Sequence, residues 1–276
     1  MWAHKSIIET ARASATISYL LNTFSTYGTE RRLFGRTNPE VSQRHDTLIT
    51  PKGWAFSIWA IIFVGESLGL LLIWTNALYS THYNEILVPF TYACILQSLW
   101  CVFFSKEKML LSAIALTGIA LCLKLCSDEI STIAMAAPFT SEIPYISNIL
   151  ISYPIRIHFA WTTAAALINW NMFIVSLRIP GLEVFPALLS VWIATGIALF
   201  RAFFLADSIF PAVLAWAFSA MSGKIRSSPP ENFARDASFL EVLLFLHPSH
   251  LILYPTSGTS PSSLIVLFNL SLFHRF

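Results

Sequence analysis

Long apolar runs alternate with short polar segments over most of the chain, and each run is about the length of a membrane-spanning helix. A helix needs about 20 apolar residues to cross a hydrocarbon core of roughly 30 Å. Charged residues are rare inside the runs and gather between them. The pattern predicts an all-α fold, a polytopic transmembrane helical bundle with six clear spans. These lie near Gly53–Thr75, Glu85–Phe104, Met109–Cys126, Pro154–Leu177, Val184–Leu205 and Ser208–Gly223.

The two ends of the chain fit this pattern less well. Residues 6–24 are semi-apolar but contain Glu9 and Arg12, so they form either a first span, which we favour, or an amphipathic helix at the interface. The tail contains apolar stretches that are broken or too short, and it forms either one further span or a frayed or re-entrant segment. The predicted organisation is an N-terminal segment, a transmembrane bundle and a tail, at residues 1–46, 47–223 and 224–276.

The basic residues give the six spans an orientation, because Lys and Arg accumulate on the side that is not translocated. One side collects Lys124, Arg156 and Arg201. The other side collects Arg31, Arg32, Arg36, Arg44, Lys52, Lys106, Lys108, Arg178, Lys224, Arg226 and Arg235. We therefore expect the loop at 25–52 to face the cytosol or its equivalent, and a long loop at 127–153 to face the opposite side.

Composition agrees with an integral membrane protein. Of the 276 residues, 55% are apolar and only 12% are charged, with a mean hydropathy of +0.64 and a net charge of +2. Soluble domains have roughly 25% charged residues. Low polarity, weak basicity and only four cysteines exclude a disordered chain, a nucleic-acid partner and a disulfide-stapled secreted module. The expected partners are membrane lipids and, among proteins, a second copy in a homodimer.

Three polar side chains lie inside predicted spans, where they are costly and so are candidates for function. Glu66 is 13 residues into its span, Gln97 is 12 residues into the next, and Asn169 is 15 residues into the span that begins at Pro154. At 1.5 Å per residue, all three fall about 18–23 Å from a span end. The spacing predicts one buried polar layer. The alternative is a set of hydrogen bonds that pack helices together.

Aromatic residues fall on the same helical faces as these polar groups, at steps of three and four residues. One face contains Phe56, Trp59, Phe63 and Glu66. A second contains Gln97, Trp100 and Phe104, and a third contains His158, Trp161 and Asn169. A cavity walled in this way suits a flat apolar ligand, whereas Trp54, Trp74 and Trp216 fit an interfacial belt better. The predicted ligand-binding residues are Phe56, Trp59, Phe63, Glu66, Gln97, Trp100, Trp161 and Asn169.

The sequence contains no motif that indicates an enzyme. A phosphate-binding glycine loop, a nucleophile elbow and a His-Glu-x-x-His pair are all missing. The four cysteines lie in apolar surroundings that favour packing over reactivity, and His247 with His250 does not make a convincing metal site. We therefore predict no catalytic residue, no metal and no cofactor.

Two aromatic segments have the spacing of a known motif set. Residues 51–59 read Pro-Lys-Gly-Trp-Ala-Phe-Ser-Ile-Trp, and residues 97–104 read Gln-Ser-Leu-Trp-Cys-Val-Phe-Phe. The first segment resembles the signature Pro-x-Gly-x-x-Phe-x-Ile-Trp of the tryptophan-rich sensory proteins, relatives of the TspO/MBR (translocator, peripheral benzodiazepine receptor) family. The second resembles that family's Asn-x-x-Trp-x-x-x-Phe helix, with Gln97 in the place of Asn.

Two further segments extend this resemblance over about residues 48–223. Pro154 precedes a segment in which Trp161 is followed eight residues later by Asn169, and Trp216-Ala217 is similar to a dipeptide near the last family helix. The resemblance implies a helical membrane protein with an aromatic cavity that binds a tetrapyrrole or a sterol-like molecule. Its matching positions would make Trp59, Trp100, Trp161 and Asn169 cavity residues. The predicted span count exceeds the family's five.

Three functions follow from these observations. The first is a membrane sensor or carrier that binds a flat apolar ligand. The second is a proton-coupled small-molecule transporter that uses Glu66, because a carboxylate gains a proton as it loses water. The third is a structural or assembly protein with a packed aromatic core and no ligand.

Overall fold

The apolar runs form α-helices, because a backbone surrounded by lipid must satisfy its own hydrogen bonds. The structure is a computed structural model and describes residues 2–75, 83–136, 145–227, 251–255 and 264–268. The helices are α1 (Trp2–Glu30), α2 (Asn38–Arg44), α3 (Ile58–Trp74), α4 (Tyr83–Ser105), α5 (Met109–Ala136), α6 (Tyr145–Ser176), α7 (Val184–Phe204) and α8 (Ile209–Ser227), and a 3-10 helix (Gly53–Ser57) leads into α3. The predicted all-α membrane bundle is thereby confirmed.

Four of the described helical stretches are long and apolar enough to cross a membrane by length and composition. They are Gly53–Trp74, Glu85–Ser105, Met109–Ile133 and Val184–Phe204. These four correspond to predicted spans, and α6 and α8 occupy the positions of the other two. The total number of spans stays a prediction.

Helix α6 lies at the centre of the bundle. It packs against α3, α5 and α8, and more lightly against α7, while α4 lies between α5 and α1. Helix α1 packs along the length of α4 and also contacts α3. In the second contact, Tyr19 donates to the Phe63 carbonyl at 2.7 Å and Trp74 donates to Thr16 at 2.9 Å. Residues 6–24 are therefore part of a helix packed along the bundle.

The structure corrects the predicted loop at 127–153. Helix α5 continues to Ala136 and α6 begins at Tyr145, so most of the predicted loop is helical and Pro154 lies inside α6. Proline is tolerated inside a packed membrane helix although it lacks an N–H group. The hydrogen bond that the Leu150 carbonyl would accept from residue 154 is consequently missing.

Two glycines bring α3 and α6 close together. A Cβ atom at Gly65 would overlap the Pro154 ring, and one at Gly69 would lie 3.2 Å from the Leu150 carbonyl oxygen. Small residues allow this approach between membrane helices. The contact places Glu66, between the two glycines, against α6.

A buried ionic cluster ties α5, α6, α7 and α8 together at one end of the bundle. The Arg201 guanidinium donates to Asp207 at 2.8 Å and to Ser127 at 2.7 Å, and its side chain is 3% exposed. Arg156 donates to Ser131 at 3.0 Å and lies 3.7 Å from Asp207. The basic residues predicted for one side of the membrane are thus grouped in this cluster, with carboxylates that neutralise them.

The opposite end of the bundle carries a second ionic cluster, centred on Glu107 in the turn between α4 and α5. Glu107 lies 2.9 Å from His45 and 3.4 Å from Arg44, and it also pairs with Arg36. The hydrogen bond from His45 lowers the pKa of the Glu107 carboxyl, and the two arginines lower it further. These contacts attach the segment between α1 and α3 to the end of α4.

The C-terminal segment is described in part. Strands β1 (Leu251–Pro255) and β2 (Leu264–Phe268) pair antiparallel, with Leu251 opposite Phe268. His247 and His250 lie outside the described residues, and so does most of the tail for which a further span or a re-entrant segment is predicted; its described parts beyond α8 are β1 and β2.

Candidate functional site

A cavity of about 650 Å³ opens at the Glu107 end of the bundle. Its walls come from the end of α1, from α2, from the 3-10 helix, from the start of α3, from α4 and from the end of α8. The predicted residues Phe56, Trp59, Gln97 and Trp100 line it, together with polar groups that include Glu30, Asp46, Lys52 and Lys224. Ligand sites are typically about 300–1,000 Å³. We refer to this space as the main cavity.

A narrower pocket of about 40 Å³, which we call the inner pocket, shares one wall with the main cavity and reaches toward α6. Trp59, Trp100 and Trp161 all line it, and so does Asn169. The Trp161 ring stands perpendicular to the Trp59 ring, with centroids 6.4 Å apart, and nearly perpendicular to the Phe56 ring at 5.8 Å. Edge-to-face pairs of this kind are favourable. The three tryptophans from α3, α4 and α6 therefore face one shared space.

Three buried polar atoms of residues on these walls have no hydrogen-bond partner among the described residues. They are Oδ1 of Asn38 and Oε1 of Gln97, which are acceptors, and Nε1 of Trp161, a donor. Gln97 and Trp161 are almost fully buried, at 1% and 2% exposure. A buried polar group without a partner costs about 1–3 kcal/mol. A molecule that donates to Gln97 and accepts from Trp161 would remove this cost.

The mouth of the main cavity is charged. Lys224 pairs with Asp46 there, whereas the Lys52 ammonium has no ion pair or side-chain hydrogen bond within the described residues. The Lys52 side chain lies against Gly223, where a Cβ atom would be 3.6 Å from its Cδ. The cavity thus combines an aromatic interior with a cation at its entrance.

Asn169 acts as a hydrogen-bonding centre for three helices. Its Oδ1 accepts from Trp100 at 3.3 Å and from Ser112 at 2.5 Å, and its Nδ2 donates to the Ala165 carbonyl at 3.1 Å. These bonds hold the Trp100 ring in place at the cavity wall. The amide is therefore occupied by the protein, which supports the packing role that the sequence left open for it.

Glu66 lies apart from the main cavity. Its Oε1 is 2.6 Å from Nδ1 of His158, and both side chains are at most 1% exposed. It also lines a separate small cavity of about 20 Å³ between α3, α4 and α6. Phe63 does not line either aromatic space and instead packs between Trp59, at 5.7 Å, and Tyr19, at 6.2 Å.

The single polar layer predicted from Glu66, Gln97 and Asn169 does not form. Each of the three has its own surroundings: His158 for Glu66, the main cavity for Gln97, and Trp100 with Ser112 for Asn169. For Asn169, the predicted depth is counted from Pro154, whereas α6 begins nine residues earlier, at Tyr145.

His158 is a functional residue that the sequence analysis only partly identifies. It is assigned to an aromatic helical face, but its contact with Glu66 is not predicted. With a helix start at Pro154, it would lie near a membrane surface. From the observed start at Tyr145 it is 13 residues, or roughly 20 Å, into the helix. The contact between His158 and Glu66 can therefore be predicted only if the start of α6 is known.

Within the described residues, no group of three or more His, Cys, Asp or Glu side chains is placed to hold a metal ion. The described cysteines are free, and Cys126 donates to the Ile86 carbonyl at 3.3 Å.

Comparison with known proteins gives one family. The chain matches the family described as TSPO-like protein over residues 12–247. No curated protein and no solved structure matches the chain. The family match covers most of the chain and confirms the resemblance seen in the sequence motifs. Together with the apolar helices, it makes the chain an integral membrane protein.

Proposed function

Because the chain belongs to the TSPO-like family, we propose that it is a membrane sensor or carrier that binds a flat apolar ligand in the main cavity and its inner pocket. The ligand class is a tetrapyrrole or a sterol-like molecule. The observation that carries the proposal is the convergence of Trp59, Trp100 and Trp161 on one space.

The polar groups on the cavity wall suggest how a ligand would be oriented. The flat body would lie against the tryptophans, a donor group would meet Gln97, and an anionic group at the edge would meet Lys52. This combination describes an amphipathic molecule. A structural protein with a packed aromatic core would have no use for a void of about 650 Å³, so the cavity supports ligand binding over that alternative.

Tryptophan fluorescence in detergent tests the proposal. A dicarboxylate porphyrin should quench the fluorescence saturably. The double variant that combines Trp59→Ala with Trp161→Ala should bind the porphyrin with an apparent affinity at least tenfold weaker. Trp192→Ala is the matched control, because this tryptophan is 61% exposed on α7 and does not line the described pockets. Saturable quenching that the double replacement leaves unchanged would contradict the proposal.

The role of Lys52 has its own test. The dimethyl ester of the same porphyrin has the same ring but no carboxylate. If Lys52 binds an acidic group, Lys52→Met should weaken binding of the acid and leave binding of the ester unchanged. Equal effects on both ligands would remove the anionic contact from the proposal.

A proton-coupled transporter is the second candidate, and the Glu66–His158 pair favours it. A fully buried carboxylate beside an imidazole is a group that can take up and release a proton inside the bundle. Flux of the porphyrin across proteoliposomes should then depend on pH and should be altered by Glu66→Gln. Flux that is independent of pH and survives Glu66→Gln would remove this candidate.

A further inference from the structure

The Glu66–His158 pair has unused hydrogen-bonding capacity on both sides. Oε1 and Nδ1 are joined at 2.6 Å, but Oε2 of Glu66 and Nε2 of His158 are buried and find no partner in the described part of the chain. One proton lies between Oε1 and Nδ1. Oε2 and Nε2 can each accept a further proton.

One additional proton would make the pair electrically neutral. With a single shared proton the pair has a net charge of −1, and a lone charge is expensive in an apolar interior. Tyr19 on α1, Cys94 on α4 and Cys126 on α5 interact electrostatically with Glu66 from neighbouring helices. Phenol and thiol groups are uncharged near neutral pH, so these three groups do not neutralise the carboxylate.

The small cavity provides a place for this proton to form a hydrogen bond. Glu66, Leu150 and Pro154 all line the cavity. Because Pro154 has no N–H, the Leu150 carbonyl there does not receive the hydrogen bond that residue 154 would donate in a regular helix. The cavity volume is about 20 Å³, and a water molecule needs about 10–15 Å³. A protonated Oε2 can donate to such a water, which in turn donates to the Leu150 carbonyl.

We propose that Glu66 and His158 form a buried site for one exchangeable proton, held on Oε2 of Glu66 and hydrogen-bonded into the small cavity. His158 is the positioning residue, since it donates to Oε1 and leaves Oε2 directed away from itself. The site is separate from the main cavity, with which the small cavity shares no described lining residue.

Trp59 connects the proton site to the main cavity. Its ring lies edge-on to the His158 ring, with centroids 5.4 Å apart, and the same indole lines the main cavity. A ligand that displaces Trp59 changes the surroundings of His158. Occupancy of the proton site and of the main cavity are therefore coupled, and the coupling is reciprocal. This second half of the inference rests on the proposed function.

Infrared difference spectroscopy of the ligand-free protein tests the proton site. A spectrum taken between acidic and alkaline pH should contain the C=O band of a buried carboxylic acid. Glu66→Gln should abolish the band. His158→Phe keeps a ring of similar shape but cannot donate to Oε1, so it should shift the band rather than remove it. Glu107→Gln, which alters a carboxyl group at the end of the bundle, should leave it unchanged.

Two outcomes would overturn the proton site. One is a wild-type spectrum without any buried-acid band over the pH range in which circular dichroism shows the folded protein. The other is a band that persists in Glu66→Gln. If Glu66→Gln fails to fold, the predicted shift in His158→Phe decides the question, and an unshifted band there contradicts the positioning role.

The coupling is tested with the zinc complex of the porphyrin dimethyl ester, which has no group that titrates near neutral pH. Its affinity for the wild type should change with pH, by at most about tenfold per pH unit for one linked proton. In Glu66→Gln the affinity should not depend on pH. A wild-type affinity that is constant with pH contradicts the coupling. No binding at all contradicts the proposed function and the coupling together, while the infrared band still decides the proton site.

Discussion

Trp100 on α4 donates its indole N–H to Oδ1 of Asn169 on α6, at 3.3 Å. Both residues face the inner pocket, and both match positions that the family resemblance assigns to the cavity. The bond shows that the cavity wall is itself a hydrogen-bonded structure. Binding and stability are therefore linked at these positions.

Replacing Asn169→Ala should destabilise the protein by about 1–3 kcal/mol, because the Ser112 hydroxyl and the Trp100 N–H both lose their buried acceptor. Trp100→Phe removes one interhelical hydrogen bond, which is worth about 0.6–2 kcal/mol, and also part of the buried ring that stacks on Phe104. Reversible unfolding in mixed detergent, followed by circular dichroism, measures both. An Asn169→Ala protein as stable as wild type would contradict the role of Asn169 as a hydrogen-bonding centre.

Gly65→Ala should destabilise the contact between α3 and α6, since the new methyl group overlaps the Pro154 ring. Overpacking of this kind costs about 1–3 kcal/mol. Gly196→Ala on α7 is the matched control, because a Cβ atom there meets nothing within 4 Å and alanine favours a helix by about 0.8–1 kcal/mol. The midpoint temperature of thermal unfolding should fall in Gly65→Ala and rise in Gly196→Ala. A Gly65→Ala variant with unchanged stability would show that the helices separate freely.

Arg201→Met should be among the most damaging replacements in the bundle. It leaves Asp207 buried without its main partner, and breaking a buried ion pair costs about 3–5 kcal/mol. Lys124→Ala removes an exposed i,i+4 pair with Asp128 and should cost about 0.3–0.5 kcal/mol. The free energies of unfolding of the two variants are compared in detergent. The double variant that combines Arg201→Met with Asp207→Leu lacks both charges of this ion pair. If it regains most of the lost free energy of unfolding, the cost of Arg201→Met arises from the unpaired charge and not from lost packing.

Glu107 should make stability depend on acid pH. Its pKa lies below the ordinary value of 4.5, chiefly because His45 bonds to its carboxylate. A carboxyl group with a lowered pKa contributes stability that is fully present above the ordinary pKa and is lost as the pH falls through the folded value. The free energy of unfolding of the wild type should therefore fall more steeply than that of Glu107→Gln below about pH 4.5. His45→Gln should reduce the slope in the same way, and equal slopes in all three proteins would contradict this account.

The sequence determined the helical class and the aromatic faces because both depend on local periodicity. Phe56, Trp59 and Trp161 could be assigned to inward faces from their spacing alone, and the structure brings their rings together. The pairing of Glu66 with His158 could not be obtained in this way. It depends on how far α6 extends beyond Pro154, and a proline inside a helix and one at its start give the same local pattern.

By itself, then, the sequence determined that the chain is a membrane-embedded helical bundle with tryptophans on faces that match the TSPO-like family. Hydropathy and helical spacing are properties of neighbouring residues and need no knowledge of the rest of the fold. Only the tertiary structure decided that Gln97 faces an open cavity, that Asn169 is bonded within the wall, and that Glu66 lies with His158 beside a separate cavity. These outcomes depend on contacts between helices that are far apart in sequence, such as the close approach of α3 and α6 at Gly65 and Gly69, and not on the pattern along any one helix.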